Sequence, residues 1–177
     1  MDKLEFEFDN KAGELVSSLE YMLGHIKACL PALAATEDVL FKCKVIITEL
    51  LTNAIKHPGK GKTLFNIELN ETSLAISKTD FGLPLYLINT RNNSAKAIAE
   101  TNKRLISADP LTSLYANWES ENHIRFSTEE GSSDDSFSVE QVMEHFGMLI
   151  ITRSSDEFTY AYHRNTRSNV FNVRIDF

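Results

Sequence analysis

The stretch that decides the reading is Thr48-Glu49-Leu50-Leu51-Thr52-Asn53-Ala54-Ile55-Lys56-His57. At about 100° of rotation per residue, Val45, Ile46, Ile47, Leu50, Leu51, Ala54 and Ile55 gather on one broad apolar face of a helix. Glu49, Asn53 and His57 fall four apart, in a single row beside that face. A carboxylate, a carboxamide and an imidazole in such a row suit the rim of a pocket. They equally suit the polar edge of an ordinary amphipathic helix. Thr36 is placed to cap this helix, Glu37 and Asp38 complement its first turn, and Pro58-Gly59 ends it after His57.

Outward from this helix, Leu4 to Phe8 alternates apolar and charged residues, the period of a half-exposed strand. Lys11 to Leu30 reads as a helix with Leu15, Leu19, Met22, Leu23 and Ile26 on one face, closed by Pro31. Leu64–Leu69 and Ser73–Lys78 read as strands joined by an Asn70-Glu71-Thr72 turn. The pattern then loosens. Arg91 to Arg104 and Leu111 to Trp118 are expected as helices, and Glu129 to Asp135 as a solvated loop. Ser138 and Gln141 have capping-box spacing and open a helix expected to end near Phe146-Gly147. Three strands are expected to finish the chain: Met148–Arg153, Phe158–His163 and Val170–Phe177. This order predicts an α+β, two-layer sandwich, a mixed, mostly antiparallel sheet covered on one face by helices.

With 177 residues, 42% apolar and 24% charged, the chain predicts one domain, 1–177, able to build its own core. Eighteen Lys and Arg against 25 Asp and Glu give a net charge of −7, which argues against nucleic-acid and anionic-membrane partners. No basic-then-apolar leader and no run of about 20 apolar residues appear, so a cytoplasmic location is expected. Cys29 and Cys43 make neither a disulfide framework nor a metal-ligand spacing. The five histidines are scattered, which argues against structural zinc. Gly61-Lys62-Thr63 lacks the preceding glycine and strand of a P-loop.

Glu49-x-x-x-Asn53-Ala54-x-Lys56-His57 resembles the N-box of the GHKL ATPases, the superfamily of histidine-kinase catalytic domains, anti-sigma-factor serine kinases, gyrase and Hsp90. The resemblance implies that Asn53 ligates Mg²⁺, a hard ion suited to an oxygen ligand and to phosphates. It implies that Lys56 and His57 approach the nucleotide, and that Glu49 orients or deprotonates the attacking hydroxyl. Thr79-Asp80-Phe81-Gly82-Leu83-Pro84 is similar to the family's Asp-x-Gly-x-Gly box, in which the aspartate accepts a hydrogen bond from the adenine amino group. Pro84 stands where that box has its second glycine. An ordinary strand-end turn has the same residue types. Glu144-His145-Phe146-Gly147-Met148-Leu149-Ile150 is similar to the second glycine box, with His145 at its first glycine and Gly147 kept. A glycine that ends a helix before a strand would read the same way.

The resemblance covers most of the chain from about residue 36, with residues 85–146 as a lid-like insert. It implies the histidine-kinase-like ATPase fold and a cytosolic bacterial regulatory protein kinase of the anti-sigma-factor type. That kinase would transfer the γ-phosphoryl group of Mg·ATP to a serine or threonine of a small partner protein, an anti-anti-sigma-like substrate. It is also compatible with a homodimer. The alternative is a non-catalytic binding module of the same fold that sequesters a sigma factor or another regulator, with nucleotide as ligand or absent.

Overall fold

A computed structural model describes residues 2–31, 36–85, 102–108, 111–130 and 139–177, with side chains in the last span from residue 146. In chain order its elements are β1 (Asp2–Phe8), a 3₁₀ turn (Ala12–Glu14), α1 (Leu15–Cys29), α2 (Glu37–Lys56), β2 (Thr63–Leu69), β3 (Ser73–Phe81), β4 (Lys103–Ala108), β5 (Thr112–Ser120), β6 (His123–Glu130), α3 (Val139–Ser154), β7 (Glu157–His163) and β8 (Ser168–Asp176).

The strands form one eight-stranded sheet in the order β1-β2-β3-β8-β7-β6-β5-β4. The sheet expected as mixed but mostly antiparallel is antiparallel at each of its strand pairs. Its register carries one apolar row across the strands, from Leu4 through Ile67, Ile76, Val173, Phe158 and Phe126 to Ala116. All of these but Leu4 are buried. Side chains alternate across a strand, so one face of the sheet is apolar and the other polar. On the polar face Arg125 bridges Glu119 and Glu157, and Arg174 reaches Glu157 from the next strand.

The helices cover the apolar face. α2 lies between α1 and α3; α1 reaches β1 and β2, while α3 reaches β4, β6 and β7. Val39, Cys43, Ile46, Ile47, Leu50, Leu51 and Ala54 of α2 are buried in the single core cluster. Each fully buried Leu or Ile there contributes about 1.5–3 kcal/mol. The Thr36 side chain accepts from the Val39 N–H at 3.2 Å, as its capping position predicts. The β2–β3 turn is held by Asn70, whose Oδ1 accepts from the N–H groups of Thr72 and Ser73, each at 2.8 Å.

Two expectations give way. Met148–Arg153 is not a strand but the second half of α3, so Gly147 lies inside a helix instead of ending one. The β-branched run there costs a few tenths of a kcal/mol per residue in helix propensity, which burial of Leu149 and Ile151 outweighs. Leu111–Trp118 is not a helix either: β5 runs through it between β4 and β6, burying Leu114 and Ala116 at alternate positions. The insert expected to be mostly helical thus adds three strands to the sheet. Of the expected Arg91–Arg104 helix, residues 91–101 lie outside the described residues, and Lys103 and Arg104 belong to β4. Residues 131–135 of the expected loop, and the Ser138 and Gln141 side chains, also lie outside them. Among the described residues, no helix is long and apolar enough to cross a membrane.

Candidate functional site

Two clusters of the sequence-predicted residues form at α2. In the first, α3 crosses α2 at Gly147. A Cβ built on Gly147 would fall inside the contact radius of Glu49 Oε2, and 3.8 Å from Asn53 Nδ2. Glu49 and Asn53 are both half-buried, one helical turn apart, under the backbone of α3. The close approach depends on the missing side chain at Gly147. The carboxylate and carboxamide are thereby confined between two helices, at a depth where open solvent does not reach all sides of them.

In the second, the turn that ends α2 docks onto the end of β3. The Lys60 N–H donates to the Phe81 carbonyl at 2.6 Å. A Cβ on Gly59 would stand 2.5 Å from that same oxygen, and one on Gly82 would be 4.0 Å from Gly59 Cα. The Gly82 N–H donates to the carbonyl of Arg167 at 2.9 Å. Arg167 has a φ of 52° in the β7–β8 turn, a left-handed conformation unusual outside glycine, asparagine and aspartate. Lys56 and His57, in the last turn and cap of α2, are exposed.

Asp80 is buried at the inner end of β3. Its Oδ2 accepts from Lys78 Nζ at 2.6 Å, and its Oδ1 accepts from Asn169 Nδ2 at 2.8 Å. The Lys78 side chain is 4% exposed and that of Asp80 11%, so this is an interior ion pair. Lys78 also stands over the Phe171 ring, 4.8 Å from its centroid. Removing one member of such a pair typically costs about 3–5 kcal/mol, because the other charge is left without a partner. Two bonds leave the carboxylate with acceptor capacity, since its two oxygens offer about four lone-pair sites.

The network extends beyond Asp80. Asn169 Nδ2 also donates to the Leu83 carbonyl at 3.0 Å, and its Oδ1 accepts from the Tyr160 hydroxyl at 2.8 Å. The Tyr160 oxygen in turn accepts from the Leu85 N–H at 2.8 Å. Burial raises the pKa of the Tyr160 hydroxyl and the Asp80 charge adds to the rise, against the lowering effect of the Leu85 N–H. The hydroxyl therefore stays protonated and keeps donating. Tyr162 reaches the Gly82 carbonyl at 3.4 Å. Beside these tyrosines lies a shallow groove of about 150 Å³ edged by Pro84, Leu85, Trp118 and Ile124.

Of the residues singled out from sequence, the structure brings Glu49, Asn53 and Gly147 together, and joins the Asp80–Gly82 turn to Gly59 and Lys60. Lys56 and His57 stand at the exposed end of α2, where the His57 N–H donates to the Asn53 carbonyl at 2.9 Å. The His145 side chain lies outside the described residues. Sequence reasoning missed Lys78, Tyr160, Asn169 and Arg167. Lys78 had a signal: it shares the inward parity of Leu74, Ile76 and Asp80 in β3, where a lysine needs a buried partner. Asn169 had none, because its contact with Asp80 spans 89 positions.

Oxygen donors on successive turns of α2 suit a hard cation shared with phosphates, and Glu49 and Asn53 supply them. The hydroxyl of Thr63, which is fully buried at the start of β2, has no hydrogen-bond partner among the described residues. The β2–β3 pairing begins one residue further on, with Leu64 opposite Thr79. An unsatisfied buried hydroxyl at the start of β2 and a carboxylate with spare lone pairs at the end of β3 leave polar capacity at this end of the sheet. Among the described residues, no three His, Cys, Asp or Glu side chains gather to hold a metal by themselves.

Fold and site together define an α+β domain with one eight-stranded antiparallel sheet, helices on its apolar face, and polar clusters where α2 meets β3 and α3. No protein-family model matches the chain, and no curated protein matches it.

Proposed function

We propose that the chain binds Mg·ATP and works as a regulatory protein kinase of the anti-sigma-factor type, acting on a serine or threonine of a small partner protein. One observation carries this reading. Gly147, from the box similar to the second glycine box of the GHKL family, packs on Glu49 and Asn53 of the N-box-like helix, residues far from it in sequence. Two stretches that resemble motifs of one family thus meet at residues that carry the resemblance, which supports reading them together.

On this reading Asn53 holds the metal through its side-chain oxygen, and Asp80 accepts from the amino group of the base. Glu49 would take the proton of the partner's hydroxyl as that oxygen bonds the γ-phosphorus and the bond from the γ-phosphorus to the β–γ bridging oxygen breaks, with ADP leaving. Lys56 and His57, exposed at the end of α2, face the incoming phosphates and ribose. ATP supplies the γ-phosphoryl group, and Mg²⁺ offsets the charge on its oxygens. Phosphoryl transfer asks a protein mainly for positioning and charge stabilisation, which suits a site with few specified side chains.

A second reading rests on Asp80. Its carboxylate is already neutralised by Lys78 and held by Asn169, a state that needs no nucleotide to be satisfied. This favours a non-catalytic binding module that sequesters a sigma factor or a similar regulator. Calorimetric titration of Mg·ATP into the wild type and into Asn53→Ala separates the two. Saturable heat in the wild type that Asn53→Ala weakens at least tenfold, with circular dichroism unchanged, supports the kinase reading. Absence of heat at millimolar nucleotide sinks it and leaves the binding module.

A further inference from the structure

The hydrogen bonds around Asp80 share one direction. The Leu85 N–H donates to Tyr160, the Tyr160 hydroxyl donates to Asn169 Oδ1, and Asn169 Nδ2 donates to Asp80 Oδ1. Lys78 donates to the other carboxylate oxygen. Each donor points towards Asp80, which accepts only. Such a chain polarises each of its members and holds together as a unit. It ties three separated parts of the sequence: the end of β3 with the Gly82–Leu85 segment that continues it, β7 at Tyr160, and the start of β8 at Asn169. Asn169 fixes that segment a second time through the Leu83 carbonyl, and Tyr162 a third time at Gly82.

We propose that Asn169 and Tyr160 are positioning residues that couple the acceptor state of Asp80 to the placement of Gly82–Leu85, so that the segment is fixed only while Asp80 is an acceptor. The nucleotide consequence of this coupling rests on the reading of Asp80 as the group that meets the base; the coupling itself does not. Its physical cause is the arithmetic of donors. An asparagine at position 80 offers one oxygen where the carboxylate offers two, and presents an NH₂ group to one of its two former donors. If that donor is Asn169, its amide must turn over to bring oxygen to the new NH₂. Its NH₂ then faces the Tyr160 hydroxyl, which must accept where it used to donate and so competes with the Leu85 N–H for the same oxygen. The Leu83 carbonyl loses its donor in the same move. A change at Asp80 thus arrives at Leu85 through two side chains that touch neither the solvent-facing end of α2 nor the partner's hydroxyl.

The test is amide hydrogen exchange read by NMR, without nucleotide, on the full chain and on Asp80→Asn and Tyr160→Phe. Tyr160→Phe keeps the ring packed against Phe171 and removes only the hydroxyl. The expected result is exchange at the Leu85 amide at least tenfold faster in both variants, with the Ile76 and Val173 amides of the sheet centre unchanged. Faster exchange at Leu85 in Tyr160→Phe alone would make Tyr160 a local anchor and overturn the coupling. Should Asp80→Asn unfold, Asn169→Leu, which cuts the chain in the middle, is expected to give the same selective loss at Leu85; unchanged protection there overturns the proposal. A second arm titrates Mg·ATP. A several-fold weaker affinity in Tyr160→Phe, which does not touch the base on this reading, extends the coupling to ligand binding. Equal affinity in the two proteins overturns that extension, and absence of binding in both removes the nucleotide reading while the exchange result still decides the coupling.

Discussion

Gly147 of α3 and Glu49 of α2 are packed so closely that a methyl group at position 147 would collide with the end of the Glu49 carboxylate. The obstacle is the tip of a flexible side chain, not backbone. The glycine therefore fixes where a carboxylate sits more than it holds two helices together.

Gly147→Ala follows from that distinction. Alanine inside a helix gains about 0.5–1 kcal/mol over glycine in propensity, and Glu49 can swing aside. Urea unfolding should show a midpoint equal to or above that of the wild type. If Glu49 acts on a partner's hydroxyl as proposed, transfer of phosphate measured with labelled ATP should fall at least tenfold, because the displaced carboxylate would no longer meet that hydroxyl. A clear loss of stability would mean that the helix interface itself has no slack at this point.

Gly59→Ala should behave in the opposite way. Its Cβ would stand 2.5 Å from the Phe81 carbonyl oxygen and 3.0 Å from the Phe81 nitrogen, both backbone atoms. Neither can rotate away, so the turn after α2 must separate from β3 and strain the Lys60–Phe81 hydrogen bond. A loss of about 1–3 kcal/mol in denaturant unfolding is expected. A midpoint equal to the wild type would show that this docking is looser than its distances indicate.

Cys43 is fully buried in α2, and burial pushes its thiol pKa up from 9.0 to about 12. The folded chain therefore keeps this proton through a range in which the unfolded chain loses it. Well below pH 9 the two states bind the proton alike, and the thiol adds no pH dependence. Between pH 9 and about 12 the unfolded state binds fewer protons, so stability falls as pH rises, by about 1.4 kcal/mol per pH unit from this group. Urea midpoints measured from pH 8 to pH 10.5 should drop more steeply for the wild type than for Cys43→Ala. Parallel curves would show that this thiol ionises as readily in the folded state.

Much of the architecture was legible because local pattern and tertiary need agreed. The 3.6-residue apolar period of α2, its Thr36 cap and its Pro58-Gly59 stop each point to the same helix. The alternation in β1 and β2, and the Asn70 turn, likewise admit one reading. The reading failed where residue type and position in the fold disagree. Met148–Arg153 is rich in β-branched residues yet is helical: it continues α3, which packs against α2, and Leu149 and Ile151 are buried in the core there. Leu111–Trp118 contains good helix formers yet is a strand, because β4 and β6 on either side pair with its backbone.

The candidate site divides along the same line. Glu49 and Asn53 stand out in the sequence through their spacing on one helix, and Asp80, Gly82 and Gly147 through the motifs that their stretches resemble. Which of them meet was decided by the tertiary structure alone: Gly147 seated on Glu49, and the turn at Gly59 docked on Phe81. So were the partners of Asp80. Lys78 is two residues away, but Asn169 and Tyr160 arrive on β8 and β7, strands placed beside β3 by an order of pairing that no short stretch encodes. A carboxylate in the interior must find its donors wherever the sheet brings them, because burying it without them costs several kcal/mol. The sequence by itself determined the kinds of group available and the faces on which they lie; the non-local pairing of strands decided their company.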